Sequence, residues 1–317
     1  MRIIFMGTPD FSVPSLETIA AEGYELIGVV TQPDRPRGRG KRLLPSPVKK
    51  WAIEKGIDIY QPVKARDEEF ITQIKRLAPD LIVTAAYGQI LPKNILDIPP
   101  LGCINVHASL LPKYRGASPI QQAIMDGESK TGITIMYMDE GMDTGDIILQ
   151  METLIHPDEN AGDLHDRLAA LGAKALSESL ELFTVGKPEG IPQIQEDATY
   201  CQKIDKDMGR INWDMDIDRI RNNVRALTPW PGAYTYIGSM RLKVWEAGQV
   251  EYSDLKDITP GQIVYADEEH GLVISGSDGL IRLSKVQAPG KRAMDDVEFL
   301  RGNRLKVNTV LDGGDKV

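Results

Sequence analysis

Two hydrophobic rhythms divide this chain, and the point where one replaces the other constrains its fold more than any other feature. As far as residue 183, short apolar runs alternate with amphipathic stretches. Runs at 2–6, 25–31, 81–85 (LIVTA), 103–107 (CINVH), 131–138 and 146–155 read as strands, and 12–22, 49–55, 67–76, 119–125 and 161–183 as helices. Ser12 stands where a cap for the first helix is expected. In the last helix Leu164, Leu168, Leu171, Ala175, Leu180 and Phe183 recur at helical spacing. Strands alternating with helices imply a mostly parallel sheet with helices on both faces, an α/β fold.

The pattern breaks at 186–192 (GKPEGIP). Beyond it come a helix at 216–226 and short strands at 233–237, 242–246, 261–266, 272–275 and 280–286, separated by turn residues. Such a series predicts a small β-barrel. We place a first domain at 1–188, a linker at 189–206 and a second domain at 207–317. Residues 32–47, rich in Pro, Gly and Arg, are expected to be irregular.

No apolar run approaches the ~18 residues needed to cross a bilayer, and the opening MRIIFMG reads as a strand rather than a secretory leader. The two cysteines give neither a disulfide framework nor a metal ligand set. A cytoplasmic protein with no metal and no membrane association is expected. The net charge of −9 excludes a general polyanion binder. Yet residues 33–50 carry seven basic residues (Arg35, Arg37, Arg39, Lys41, Arg42, Lys49 and Lys50) against one acid, Asp34. That suits a local anion-binding device, although a solvated surface loop has the same composition.

The strand at 103–107 carries the first candidate chemistry. Side chains alternate along a strand, so Cys103, Asn105 and His107 share one face. They approach the C-terminal edge of the sheet, where open α/β folds bind ligands. A satisfied histidine at a strand end would look the same. Residues 139–146 (DEGMDTGD) add Asp143 between Gly141 and Gly145 in a loop joining two strands. An Asp that orients and charges a nearby His is a common catalytic device. The EF-hand ligand pattern is absent there, so a metal is not expected. Residues 109–116 (SLLPKYRG) place adjacent leucines in a Pro- and Gly-containing loop, suited either to a slot for a flat ligand or to packing. GESKT at 127–131 fails the phosphate-loop pattern, and Gly7-Thr8-Pro9 fails the dinucleotide one. His156 and His165 read as surface or helix-face residues, and His270 as exposed.

Asn105-Val106-His107-Ala108-Ser109-Leu110-Leu111-Pro112, then Tyr114-Arg115-Gly116-Ala117-Ser118-Pro119-Ile120 and Asp143-Thr144-Gly145, together resemble the signature of the formyl-folate-dependent formyltransferases. The resemblance covers essentially the whole chain. It includes Gly7-Thr8-Pro9-Asp10-Phe11, the run from Thr31 to Pro36 into Gly38-Arg39-Gly40-Lys41, Leu43 to Lys49, and Trp230-Pro231-Gly232-Ala233. The basic loop is its most discriminating part and points to the branch that acts on tRNA.

This resemblance implies a Rossmann-like catalytic domain followed by an OB-like β-barrel that binds tRNA. It implies transfer of the formyl group of 10-formyltetrahydrofolate to the α-amino group of initiator methionyl-tRNA, by a monomer. Asn105, His107 and Asp143 become the catalytic trio. The folate site maps to Gln89, Ile90 and Leu91, to Ser109, Leu110, Leu111 and Pro112, and to Asp139, Glu140 and Gly141. Arg39, with Lys41 and Arg42, would read the tRNA acceptor end. In the second domain, 15 basic and 17 acidic residues nearly balance, so RNA contact there needs a clustered face, for which Arg282, Lys285, Lys291 and Arg292 are the candidates. The chemistry is consistent: attack by a neutral amine on a formamide carbonyl creates an oxyanion that Asn105 and His107 can stabilise. An amino-sugar nucleotide, glycinamide ribonucleotide or water as acceptor remain alternatives, as does a nucleic-acid-binding module without catalysis.

Overall fold

The computed structural model describes residues 1–37, 42–251 and 259–311. Its first strands are β1 (Arg2–Gly7), β2 (Glu25–Val30), β3 (Arg35–Arg37), β4 (Arg42–Leu44), β5 (Ile59–Tyr60), β6 (Leu81–Ala85), β7 (Cys103–His107), β8 (Arg115–Gly116), β9 (Lys130–Tyr137), β10 (Ile147–Leu154) and β11 (Tyr200–Cys201). The helices among them are α1 (Val13–Ala21), α2 (Pro47–Lys55), α3 (Glu68–Leu77), α4 (Lys93–Leu96), α5 (Pro119–Met125) and α6 (Ala161–Phe183).

Seven strands form one sheet in the order β10-β9-β7-β6-β1-β2-β5. The pairs β1–β2, β1–β6, β2–β5 and β6–β7 are parallel, and β9 joins β7 and β10 antiparallel. This is the mostly parallel, Rossmann-like α/β sheet expected. Its central strands are apolar on both faces because both are covered. One face packs Ile4, Met6, Val30 and Ile82 with Phe70, Ile71 and Ile74 of α3. On the other, α6 approaches β7 and β9 at Gly172, where an added Cβ would lie 3.0 Å from Val106 Cγ1. Each fully buried Ile or Phe there stabilises by ~1.5–3 kcal/mol relative to exposure.

Local signals set most boundaries. Ser46 caps α2 by accepting from the Lys49 N–H at 3.0 Å, and Gly56, left-handed at φ 67°, ends it. Ser12 departs from expectation. It precedes α1 but its hydroxyl donates to the Ala85 carbonyl at 2.6 Å, tying the helix start to the end of β6. The basic segment is also more regular than expected. β3 and β4 pair antiparallel, Arg35 opposite Leu44, because extended Pro-containing backbone can serve in a short edge pair.

Packing divides the chain into two compact units. One comprises Met1–Pro119, Lys130–Leu154 and His165–Cys201; the other comprises Ile120–Ser129, Ile155–Leu164 and Gln202–Val317. The second unit contains α7 (Ile217–Ala226), then β12 (Ala233–Ile237), β13 (Met240–Val250), β14 (Ile263–Asp267), β15 (Gly271–Ser275), β16 (Leu280–Gln287), β17 (Met294–Asp295) and α8 (Asp296–Gly302). Its strands pair in the order β12-β13-β16-β15-β14, all antiparallel. Ile217, Ile220 and Val224 of α7 and Phe299 of α8 fill its core with Leu242, Val244, Ile274 and Ile281.

The basic face proposed for this unit is largely neutralised. Arg282 pairs with buried Asp296 at 2.7 Å, Lys285 with Glu246 at 2.9 Å and Arg292 with Glu298 at 3.0 Å. Sequence counting cannot see which acids fold back onto which bases. His270 likewise is not simply exposed: it stacks on Tyr265 at 4.4 Å and its Nδ1 lies 3.0 Å from Asp267.

Candidate active site

The parallel register of β6 and β7 sets Thr84 beside Asn105. The Thr84 hydroxyl donates to Asn105 Oδ1 at 2.7 Å. With Oδ1 engaged there, the amide nitrogen of Asn105 is turned the other way, as a donor.

His107, two residues on along β7, is buried. Its Nε2 lies 3.0 Å from the Tyr114 carbonyl oxygen. A carbonyl only accepts, so Nε2 carries the proton. That leaves Nδ1 as the ring nitrogen able to gain or lose one. Nδ1 faces Asp143 Oδ2 at 3.7 Å. The same Oδ2 accepts from the Gly116 N–H at 2.8 Å. The three residues read from sequence as a trio are thus brought to one place, with Asp143 reaching across from the loop between β9 and β10.

The geometry of that loop depends on close backbone approaches. Gly116, in β8 where its N–H holds Asp143, has φ 119°, and a Cβ there would clash with the Cys201 carbonyl oxygen. Gly145 approaches the Tyr137 carbonyl so closely that no side chain fits. Asp143 itself is left-handed, φ 55°. Asp139 Oδ1 accepts from the Gly141 N–H at 3.0 Å and from the Thr144 hydroxyl at 2.7 Å, closing the turn. Glu140 and Gly141 are exposed.

The other predicted ligand contacts are distributed as follows. Gln89 Oε1 accepts from the Ala65 N–H at 2.7 Å. Ile90 is 77% exposed, and Leu91 is buried in the core cluster that also holds Ile71 and Ile95. Ser109 is buried and donates to the Lys113 carbonyl at 2.6 Å. Leu110 and Pro112 are half-buried and Leu111 is buried, its N–H donating to Thr134 Oγ1 at 3.1 Å. Arg39 and Lys41 lie outside the described residues. Arg42 opens β4, and its side chain lies outside the description as well. Asp34 is held below the usual carboxylate range by its hydrogen bonds from Lys49, 2.7 Å, and Gln61, 2.9 Å. Among the described residues, no group of three or more His, Cys, Asp or Glu could hold a metal ion.

Sequence reasoning missed Thr84, the Tyr114 carbonyl and the Gly116 N–H. Only the last two had a signal, since they follow His107 within the same motif.

A sheet edge presenting an Asn donor, a tautomer-fixed His and a carboxylate suits transfer of an acyl-type carbon between nitrogens. The sequence pattern of the formyl transferase family matches residues 1–180, and that of the formyl transferase C-terminal domain matches 203–304. The methionyl-tRNA formyltransferase of Clostridioides difficile is 48% identical over 311 residues, 98% of this chain and 100% of that one. The chain therefore belongs to the formyl transferase family, in the branch of the methionyl-tRNA formyltransferases. Solved structures share the fold. A sugar 3N-formyl transferase, solved in the presence of dTDP and 5-N-formyl-THF, superposes with a TM-score of 0.64 at 20% identity, covering 92% of this chain and 99% of that one. HypX from Aquifex aeolicus superposes with a TM-score of 0.60 at 17% identity over 95% of this chain, which spans only 48% of that protein's length.

Proposed function

We propose that this enzyme transfers the formyl group of 10-formyltetrahydrofolate to the α-amino group of initiator methionyl-tRNA, producing formylmethionyl-tRNA for translation initiation. The observation that carries this reading is 48% identity, over 98% of the chain, to a relative of that name. The folate donor supplies a formamide carbon activated for attack. The residues fit such a group, since the Asn105 amide nitrogen is turned away from Thr84 and the ring Nδ1 of His107 is the one left to exchange a proton.

In this reading Asn105 donates to the carbonyl oxygen as it gains negative charge. His107 with a free Nδ1 receives the proton that the attacking amine sheds and returns it to the folate nitrogen as the C–N bond breaks; while it carries that proton, it is a second donor to the oxyanion. Asp143 holds that cation and orients the ring. A free α-amino group titrates near 7.7–8.0, and esterification of the adjacent carboxyl to tRNA lowers that value, so little deprotonation work is required. The folate would lie along residues 89–91, 109–112 and 139–141, with Arg39, Lys41 and Arg42 on the acceptor end of the tRNA. The domain from residue 207 would add contacts to the tRNA. The enzyme works as a cytoplasmic monomer; among the described residues no helix is long and apolar enough to cross a membrane.

The test is formylation of methionyl-tRNA by the purified chain with 10-formyltetrahydrofolate. Absence of product, with formylation of a nucleotide-linked amino sugar instead, would move the enzyme to the sugar-acting reading that the shared fold also permits.

A further inference from the structure

We propose that Gln193, in the segment expected to be a plain linker, is a positioning residue for Asp143. The amide of Gln193 is fully engaged. Its Nε2 donates to the Asp143 carbonyl at 2.9 Å and the Gly145 carbonyl at 2.7 Å, spanning the turn that carries the carboxylate. Its Oε1 accepts from Arg115 Nε at 3.0 Å and Nη2 at 2.8 Å.

Arg115 is 1% exposed. Its Nη1 donates to Gln195 Oε1 at 2.8 Å and lies 3.3 Å from the Tyr200 hydroxyl. Gln193 is therefore gripped on one side by a buried guanidinium and grips the Asp143 turn on the other.

The Arg115 end of this bridge lies in β8, beside the two main-chain groups that hold the site. Arg115 precedes Gly116, whose N–H holds the Asp143 carboxylate, and follows Tyr114, whose carbonyl fixes the His107 tautomer. That strand is itself fastened by the same downstream segment. The Tyr114 N–H donates to Thr199 Oγ1 and the Arg115 N–H to the Thr199 carbonyl, both at 2.9 Å, and the Ala117 N–H to the Cys201 carbonyl at 3.2 Å. Asp143 is thus anchored to β8 twice: directly through its carboxylate, and through Gln193 at its main chain.

A second anchor has work to do. Asp143 sits at φ 55°, a left-handed conformation that a non-glycine residue keeps only where its surroundings hold it. Without Gln193 the Asp143 and Gly145 carbonyls lose their donor. The turn can then relax, carrying the carboxylate away from His107 Nδ1. Gln193 touches neither reactant; it acts through Asp143.

The proposal rests on the reading of Asn105, His107 and Asp143 as the reacting trio, so its test is a double-mutant cycle in the full-length enzyme. Gln193→Glu keeps an acceptor for Arg115 while removing both donors to the turn; Gln193→Met removes all four bonds at similar size. Each is made alone and with Asp143→Asn, with steady-state kinetics and thermal melting measured for all. We expect Gln193→Glu to lower kcat about tenfold or more with both KM values within about threefold, and to add less than about twofold in the Asp143→Asn background. A side chain that merely supports the fold would cost the same factor in both backgrounds, and that result would overturn the proposal. So would a folded Gln193→Glu or Gln193→Met enzyme with kcat within about twofold of the parent. Should Gln193→Glu fail to fold, Gln193→Met is judged by the same criteria. Near-normal turnover of Asp143→Asn alone would sink the trio first, and the role of Gln193 with it.

Discussion

The Thr84 hydroxyl lies 2.7 Å from Asn105 Oδ1, one strand away across the parallel β6–β7 pair. Thr84 is buried, and its hydroxyl, which also lies 3.1 Å from the Ile104 carbonyl, holds one edge of the Asn105 amide away from the site. Thr84→Val keeps the shape and removes the hydroxyl. We expect it to cost about 1 kcal/mol of stability and to lower kcat about tenfold, because the amide becomes free to present its oxygen instead. Urea unfolding and steady-state kinetics check both parts; an unchanged kcat would show that Asn105 holds its orientation without Thr84.

Asp143→Asn removes the charge facing His107 Nδ1 while preserving shape and the acceptor for the Gly116 N–H. The expected loss in kcat is at least about 10²-fold, with folate affinity little changed. Turnover close to the parent's would remove Asp143 from the chemistry.

Arg39→Ala tests the basic segment, whose net charge of +6 over residues 33–50 stands out on an acidic chain. The tRNA KM should rise and kcat/KM fall, while folate binding stays intact. An arginine that contributes only diffuse charge lowers the salt slope by about one and does little else. One that positions the acceptor end also lowers kcat at saturating tRNA. Unchanged tRNA kinetics would make the segment an ordinary solvated loop.

Asp296 anchors the second unit. It is buried, accepts from Arg282 at 2.7 and 2.9 Å, and accepts from the Leu272 N–H at 2.9 Å. Asp296→Asn should destabilise by about 2–3 kcal/mol, a value reduced from the fully buried case because Arg282 is partly solvated. The urea midpoint reads this, and a shift near zero would show the pair to be dispensable. Arg282, committed to this carboxylate, is a poor candidate for contacting RNA.

The two thiols should be inert in the folded enzyme. Burial pushes Cys103 up to about 12 and raises Cys201 as well. A raised pKa keeps a thiol neutral, and only the thiolate is the nucleophile. At pH 8 a thiol-specific chromogenic reagent should therefore label neither cysteine until denaturant is added, when both should react. Rapid labelling of either in the native state would contradict its burial.

Chain periodicity by itself determined the strands at 81–85 and 103–107, the helix at 161–183 and the strand at 233–237, all found within those bounds. Those signals are local: the period of two along β7 alone puts Asn105 and His107 on one face. Where stability comes from partners distant in sequence, local pattern was insufficient. The short helix α8 exists because Phe299 and Leu300 reach the second core, and β3–β4 forms by pairing that composition cannot reveal. The site divides the same way. Motif and spacing brought out Asn105, His107 and Asp143. Only the tertiary structure decided that β6 lies beside β7, so that Thr84 meets Asn105, and that Gln193 returns fifty residues later to hold the Asp143 turn. Neither contact leaves a trace in local sequence, because sheet order and the path of a returning segment are set by the packing of the whole unit.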